Sequence, residues 1–147
     1  MKQLTVLDID GTLCDERPVV GSFDEWEAHT IADPPAPLRI AQREVPELVD
    51  RGSVLVLTAR HERLRLATER YLAKHFPCLA GASVSMLMND GAWRGSVEDG
   101  MNHSRESKLK RLKEFRGKSR MILLVDDDPE MQVAAVGRGD RYLRPWD

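Results

Sequence analysis

Asp8 and Asp10 stand one residue apart at the end of Leu4 to Leu7, a run of strand formers closed by Gly11. That spacing puts both side chains on the same side of an extended backbone. Two carboxylates so close repel each other and raise one pKa unless a divalent cation neutralises them. Two chemical uses follow: holding a hard metal ion, or a pair in which one Asp attacks and the other handles protons. A polar turn that merely closes a strand is the alternative, since Asp and Gly are ordinary turn formers.

Three further sets of polar groups bear on that choice. Thr58 and Arg60 follow the apolar run Ser53 to Leu57, Asp126 and Asp127 follow Met121 to Val125, and Lys108 lies near the start of a basic helical stretch. Each answers a need of phosphoryl transfer. A carboxylate can attack phosphorus to form an aspartyl-phosphate. Magnesium held by carboxylates keeps attacker and substrate from repelling. A hydroxyl with a Lys or Arg can bind the equatorial phosphoryl oxygens where charge gathers. Taken singly, Thr58 also reads as a helix N-cap, Lys108 as a solvated charge, and Asp126 to Asp128 as a turn before Pro129.

The elements that must position these groups alternate between strand and helix. Strands are expected at Leu4 to Leu7, Ser53 to Leu57, Ser83 to Met88, Met121 to Val125 and, briefly, Tyr142-Leu143. Helices are expected over Leu38 to Arg51, with a kink or restart at Pro46 and Gly52 as cap, over Glu62 to Phe76, from Ser104 as N-cap to about Phe115 with Gly117 ending it, and over Glu130 to Val136. Cys14 to Pro37 reads as a long loop with a short helical turn near Phe23 to His29. Trp26 in that loop either anchors it to the body or stacks on substrate. Asn89 to Asn102 reads as a second long loop. Alternating apolar strands and helices imply a parallel sheet covered on both faces, whose ligands sit at the carboxyl ends of the strands. Asp8, Asp10, Thr58, Arg60, Asp126 and Asp127 all fall at that edge.

The 147 residues suit one domain, 1–147, and 31% charged with 41% hydrophobic residues is ordinary for a soluble globular chain. No apolar run approaches the ~18 residues of a membrane span, and Lys2 leads straight into a strand with no leader pattern. A cytoplasmic protein with no membrane contact is the expectation. Cys14 and Cys78 are too few for a zinc cage or a disulfide framework. His29, His61, His75 and His103 show no ligand spacing and read as structural or surface residues. Net charge is only −2, yet residues 1–50 carry eleven acids and four bases, while Arg105 to Arg120 carries eight bases and two acids. The basic stretch is a solvated helix face or a contact for a polyanion.

Asp8-Ile9-Asp10-Gly11-Thr12-Leu13, Thr58 after a strand, Lys108 at a helix start and Asp126-Asp127 after a strand resemble the four motifs of the haloacid dehalogenase superfamily of phosphotransferases, in the family's order. Thr58-Ala59-Arg60, Lys108, Asp126-Asp127 and the absence of a large cap are similar, more narrowly, to the 3′-phosphatase domain of polynucleotide kinase/phosphatases. The resemblance implies a three-layer Rossmann-like α/β core with a central, mostly parallel sheet and a minimal cap. It implies Asp8 as nucleophile and Asp10 as the acid that protonates the leaving oxygen and then activates water. Thr58 and Lys108 would hold the phosphoryl group, and Lys108 would also brace Asp8. Asp8, Asp10 through its main-chain carbonyl, and Asp126 would hold Mg2+, with Asp127 assisting through a metal-bound water or by orienting Lys108. Arg60 would contact phosphate or a neighbouring substrate group.

The expected activity is a magnesium-dependent phosphomonoesterase acting on a nucleotide or a polynucleotide 3′-phosphate end, with a separate kinase or ligase as a partner in end processing. The bifunctional enzymes carry a phosphate-binding loop of the form Gly-x-x-x-x-Gly-Lys-Ser/Thr. Residues 117–119 supply only its Gly-Lys-Ser tail, because Leu112 occupies the place of the earlier Gly. A free-standing phosphatase is therefore expected, not a kinase. Two other readings remain open: a phosphatase of a small metabolite such as a sugar phosphate, and a phosphate- or metal-binding module without turnover.

Overall fold

The computed structural model describes residues 3–17, 21–88, 97–116, 121–137 and 141–143. Five strands form one sheet: β1 (Gln3–Leu7), β2 (Ser53–His61), β3 (Ser83–Met88), β4 (Met121–Val125) and β5 (Arg141–Leu143). Their spatial order is β3-β2-β1-β4-β5 and every pairing is parallel. The chain winds outward from β1 to β3, then returns past β1 to add β4 and β5 on the other side. The order thus reverses between β1 and β4, where open α/β sheets form a crevice beyond their strand ends.

Side-chain alternation explains why helices cover both faces. Leu7 and Ile9 with Val56, Leu123 and Val125 face one way and pack against Ala41, Val45 and Leu48 of α2 (Arg39–Arg51) and Tyr71 and Leu72 of α3 (Arg65–His75). Leu4, Val6, Leu57, Ile122 and Leu124 face the other way, against Leu112 of α4 (Val97–Arg116) and Met131 of α5 (Pro129–Gly137). Because β1 and β4 are buried on both sides, their sequences are near-continuous apolar runs and not alternating ones. Each such side chain contributes ~1.5–3 kcal/mol of burial. The result is an α/β protein with an all-parallel central sheet flanked by helices, an arrangement compatible with a Rossmann-like fold. Among the described residues no helix is long and apolar enough to cross a membrane.

Several expected boundaries shift. The helical turn expected near Phe23 is a helix of ten residues, Phe23–Ala32, here αN because it precedes α2 and stands apart from the packed layers. Ser22 caps it by accepting from the Glu25 amide at 3.2 Å, and Asp24 and Glu25 fill the first turn, where carboxylates complement the helix dipole. Pro46 does not end α2, whose assignment runs unbroken because its buried face holds both halves against the sheet. β2 continues through Thr58-Ala59-Arg60 to His61, with an irregularity in its pairing to β3 between Thr58 and His61. The helix expected from Glu62 opens as a 3-10 turn over Glu62–Leu64 before α3 begins.

The largest shift is at α4, which starts at Val97, so Ser104 lies inside it and not at its cap. Gly100 and the polar residues around it read as loop from sequence, but the helix runs through them. Residues 89–96 of the loop expected over Asn89 to Asn102 lie outside the described residues. So do Gly117, expected to end α4, and the 117–119 segment.

Candidate active site

β1 delivers Asp8 and β4 delivers Asp126 side by side. The register pairs Leu7 with Val125, and the Asp8 amide donates to the Val125 carbonyl at 3.0 Å, so the residue following each strand is an Asp at the same level. On the other flank Leu7 pairs with Val56, which sets Thr58 one residue beyond that level on β2. The chain then folds back tightly after Asp8. Thr12 and Leu13 amides both donate to the Ile9 carbonyl, and Gly11 sits in the left-handed region at φ 80. A Cβ at Gly11 would collide with the Asp127 carboxylate, so glycine serves both the turn and the close approach of Asp127.

Lys108 comes from the opposite side. Arg105, one turn earlier on α4, donates to Asp128 at 2.6 Å and pairs with Glu130 at 3.2 Å, which fastens α4 to the turn after β4. Lys108 Nζ then reaches Asp8 Oδ1 at 2.9 Å and Asp126 Oδ2 at 3.0 Å. The remaining oxygens are also used. Asp8 Oδ2 accepts from the Thr12 hydroxyl at 3.3 Å, and Asp126 Oδ1 accepts from the Asp128 amide at 2.9 Å.

The charges do not balance. Asp8, Asp126 and Lys108 are buried, and Asp127 is half-buried beside them. Burial holds the Asp8 carboxyl well above the usual carboxylate range; Lys108 draws it down, but Asp126 adds to the rise. Asp127 is raised too, again mainly by burial, with a hydrogen bond to Asp8 opposing. For Lys108, burial alone would lower the pKa, yet the Asp8 and Asp126 carboxylates outweigh it and the ammonium is held charged. Three carboxylates against one ammonium leave two negative charges in excess when all are ionised.

Asp8, Asp126 and Asp127 each offer a carboxylate oxygen within 4.8 Å of the others. An all-oxygen set with a twofold charge excess suits a hard divalent cation such as magnesium. Asp10 adds no carboxylate oxygen to this triad; the expectation for it concerns its main-chain carbonyl, a separate donor.

Asp10 is instead gripped by Arg60. Nε donates to Asp10 Oδ2 at 3.0 Å and Nη2 to Oδ1 at 2.8 Å, the fork geometry that fixes a carboxylate most firmly. Nη1 donates to Thr68 of α3 at 3.1 Å. Arg60, expected to contact phosphate or a neighbouring substrate group, is buried and engaged with Asp10. Trp26 lies against the same guanidinium, 5.9 Å from its ring centroid, and donates from Nε1 to the Arg17 carbonyl at 2.8 Å. Those contacts tie αN to Arg60 and to the chain at Arg17. Thr58 is fully buried and accepts from the Arg60 amide at 3.1 Å, which leaves its hydroxyl proton for a donor role.

Sequence reasoning missed Thr12, Thr68 and Arg105. Thr12 lay inside the Asp-x-Asp-Gly-Thr motif, so its signal was present. Thr68 shows as a lone hydroxyl on the inward face of α3 between Leu64 and Tyr71. Arg105 was indistinguishable from its basic neighbours. The same residues shrink the free basic surface expected of Arg105 to Arg120: Arg105 and Lys108 turn to carboxylates of the site region and Arg111 pairs with Glu114 at 3.2 Å. Comparison with protein-family models, with curated proteins and with solved structures finds no match to this chain.

Proposed function

We propose that this protein is a magnesium-dependent phosphomonoesterase that works through an aspartyl-phosphate on Asp8. The observation that carries the reading is the Lys108 ammonium bridging Asp8 and Asp126 across the sheet's switch point, with the half-buried Asp127 completing an acidic triad. A structural ion pair needs two partners; a lysine shared by two carboxylates with a third beside them is more than packing requires, because unbalanced buried charge is destabilising.

Asp8 attacks phosphorus, the phosphorus–ester oxygen bond breaks, and the departing oxygen takes a proton from Asp10. Asp10 then removes a proton from water, whose oxygen attacks phosphorus; the acyl-phosphate bond breaks and free Asp8 returns with inorganic phosphate. Arg60 grips both Asp10 oxygens, so this role requires Asp10 to turn one oxygen out of the fork. Thr58 donates its hydroxyl, and Lys108 its third N–H, to the phosphoryl oxygens where charge gathers. A magnesium ion held by Asp8, Asp126 and Asp127 would screen attacker from substrate.

The substrate class proposed is a nucleotide or a polynucleotide 3′-phosphate end. A small phosphorylated metabolite is the second reading. It is favoured by αN, whose Asp24 and Glu27 are tied by Arg63 at 2.9 and 2.6 Å to the segment after β2, beside Arg60. Phosphate release should be measured from a 3′-phosphorylated oligonucleotide, nucleoside monophosphates and sugar phosphates, with and without magnesium. Magnesium-dependent release that Asp8→Asn abolishes is expected. Absence of turnover on every monoester would leave a binding module.

A further inference from the structure

A cleft of about 300 Å3 opens on the side of the molecule, between the end of αN, the Pro34-Pro35 segment and α3. Its size falls at the small end of the ~300–1,000 Å3 typical of ligand pockets, enough for a ring-sized body and not for a chain. Its wall is mostly apolar, from Pro34, Pro35, Leu64, Ala67 and the Tyr71 ring. The Tyr71 hydroxyl donates to the Pro35 carbonyl at 2.7 Å, which fixes the two sides relative to each other.

Two features set it apart from an ordinary surface groove. The first is charge. Arg70 and Lys74 are four residues apart on α3, so they project from one face of the helix, and both line the cleft. Among the described residues neither makes an ion pair, although Arg60, Arg63 and Arg65 on the segment leading into α3 all do, and no carboxylate is among the residues that line the cleft. The second is Thr30, another lining residue, which is nine-tenths buried and whose hydroxyl has no hydrogen-bond partner among the described residues. A buried hydroxyl without a partner is destabilising, and a ligand's polar group would relieve it.

We infer that this cleft is a binding site for a small organic phosphate, with its dianionic head between Arg70 and Lys74, its ring on Pro34, Pro35 and Leu64, and a polar group at Thr30. A dianion is the class that two unpaired cations favour, and the apolar wall requires a carbon body on it. The site is separate from the Asp8 triad and does not depend on turnover. Its only tie to that site is Arg60, which lines the cleft while it holds Asp10.

The test uses the full chain carrying Asp8→Asn, so that phosphate esters persist. Phenyl phosphate and a nucleoside 5′-monophosphate are titrated without divalent cations, with inorganic phosphate and the unphosphorylated nucleoside as controls, and amide NMR shifts are followed. Shifts on α3 around Arg70 and Lys74 and near Thr30 are expected. So is at least tenfold weaker binding in Arg70→Glu with Lys74→Glu, exposed positions where folding is spared. Ala67→Trp should block binding by filling the cleft while thermal unfolding stays cooperative. Shifts confined to residues 8–12 and 126–127, equal affinity in the charge-reversed protein, or inorganic phosphate binding as tightly as the organic esters would each overturn the assignment.

Discussion

Lys108 decides most of what happens at the level of single residues. Its ammonium pairs with both Asp8 and Asp126, and all three are buried. Replacing it by methionine keeps the length of the side chain and removes the charge, leaving two carboxylates facing each other in a poorly solvated place. Breaking a buried pair in this way costs ~3–5 kcal/mol. Urea unfolding of Lys108→Met at pH 7 without divalent cations should show a loss of that order, and the double variant Lys108→Met with Asp8→Asn should recover part of it. A loss under about 1 kcal/mol would mean that the pairing does not hold the site together.

Cys14 gives a second prediction at the same scale. Burial pushes its thiol up to about 12, and the Asp10 carboxylate adds to the rise. An unfolded thiol ionises near 9, so above that pH the unfolded chain has lost a proton that the folded chain keeps. The unfolded state then binds fewer protons, and stability falls as pH rises from about 9 towards 12, by at most ~1.4 kcal/mol per pH unit. Tyr71, also raised by burial, acts in the same direction above pH 10. Between pH 9 and 10 the decline should therefore be flatter in Cys14→Ala than in the parent protein; parallel slopes would assign the loss elsewhere.

Among the elements, those that read correctly from sequence are the ones with a single dominant cause. β1 and β4 are short apolar runs ended by carboxylates, and no competing signal interrupts them. α4 misread because Gly100 and Ser104 carry strong local meanings, a breaker and a cap, that the helix overrides. β2 misread by four residues because Thr58-Ala59-Arg60 looks like a strand end, while its pairing with β3 carries on past an irregularity. Asp8 and Asp126 were legible together because each follows a strand whose direction the parallel topology fixes, whereas Lys108, expected at a helix start, lies in the middle of α4. The Arg60–Asp10 fork was not legible, since nothing in the spacing of residues fifty apart says which of two arginine partners, substrate or Asp10, is nearer.

αN supplies the prediction that belongs to this scale. It rests on Ser22 at its start, on Arg63 across to Asp24 and Glu27, and on Trp26 against Arg60. The Arg63 pairs are solvent-screened and contribute little, and the cap contributes ~1 kcal/mol. Ser22→Ala with Arg63→Ala should accordingly leave global stability within ~2 kcal/mol of the parent. Amide exchange over 23–32 should accelerate, while β1 and β4 stay protected. Uniform acceleration through the sheet would show that αN is part of the core's cooperative unit.

The whole molecule is built so that folding creates an excess of negative charge at one point. The unfolded chain spreads Asp8, Asp126 and Asp127 over more than a hundred residues, whereas the sheet brings their oxygens within 4.8 Å. A divalent cation that binds there binds the folded state and not the unfolded one, so it must stabilise the protein by RT ln(1 + [L]/Kd). Each tenfold rise in magnesium beyond Kd should add ~1.4 kcal/mol. The measurement is the unfolding midpoint across a magnesium series, with potassium chloride at matched ionic strength as control. Asp126→Asn removes the most deeply buried ligand of the three and should abolish the magnesium response while raising the metal-free stability relative to an all-ionised site. An unchanged response in Asp126→Asn, or equal stabilisation by potassium, would show that the ion acts on surface charge and that the triad does not hold it.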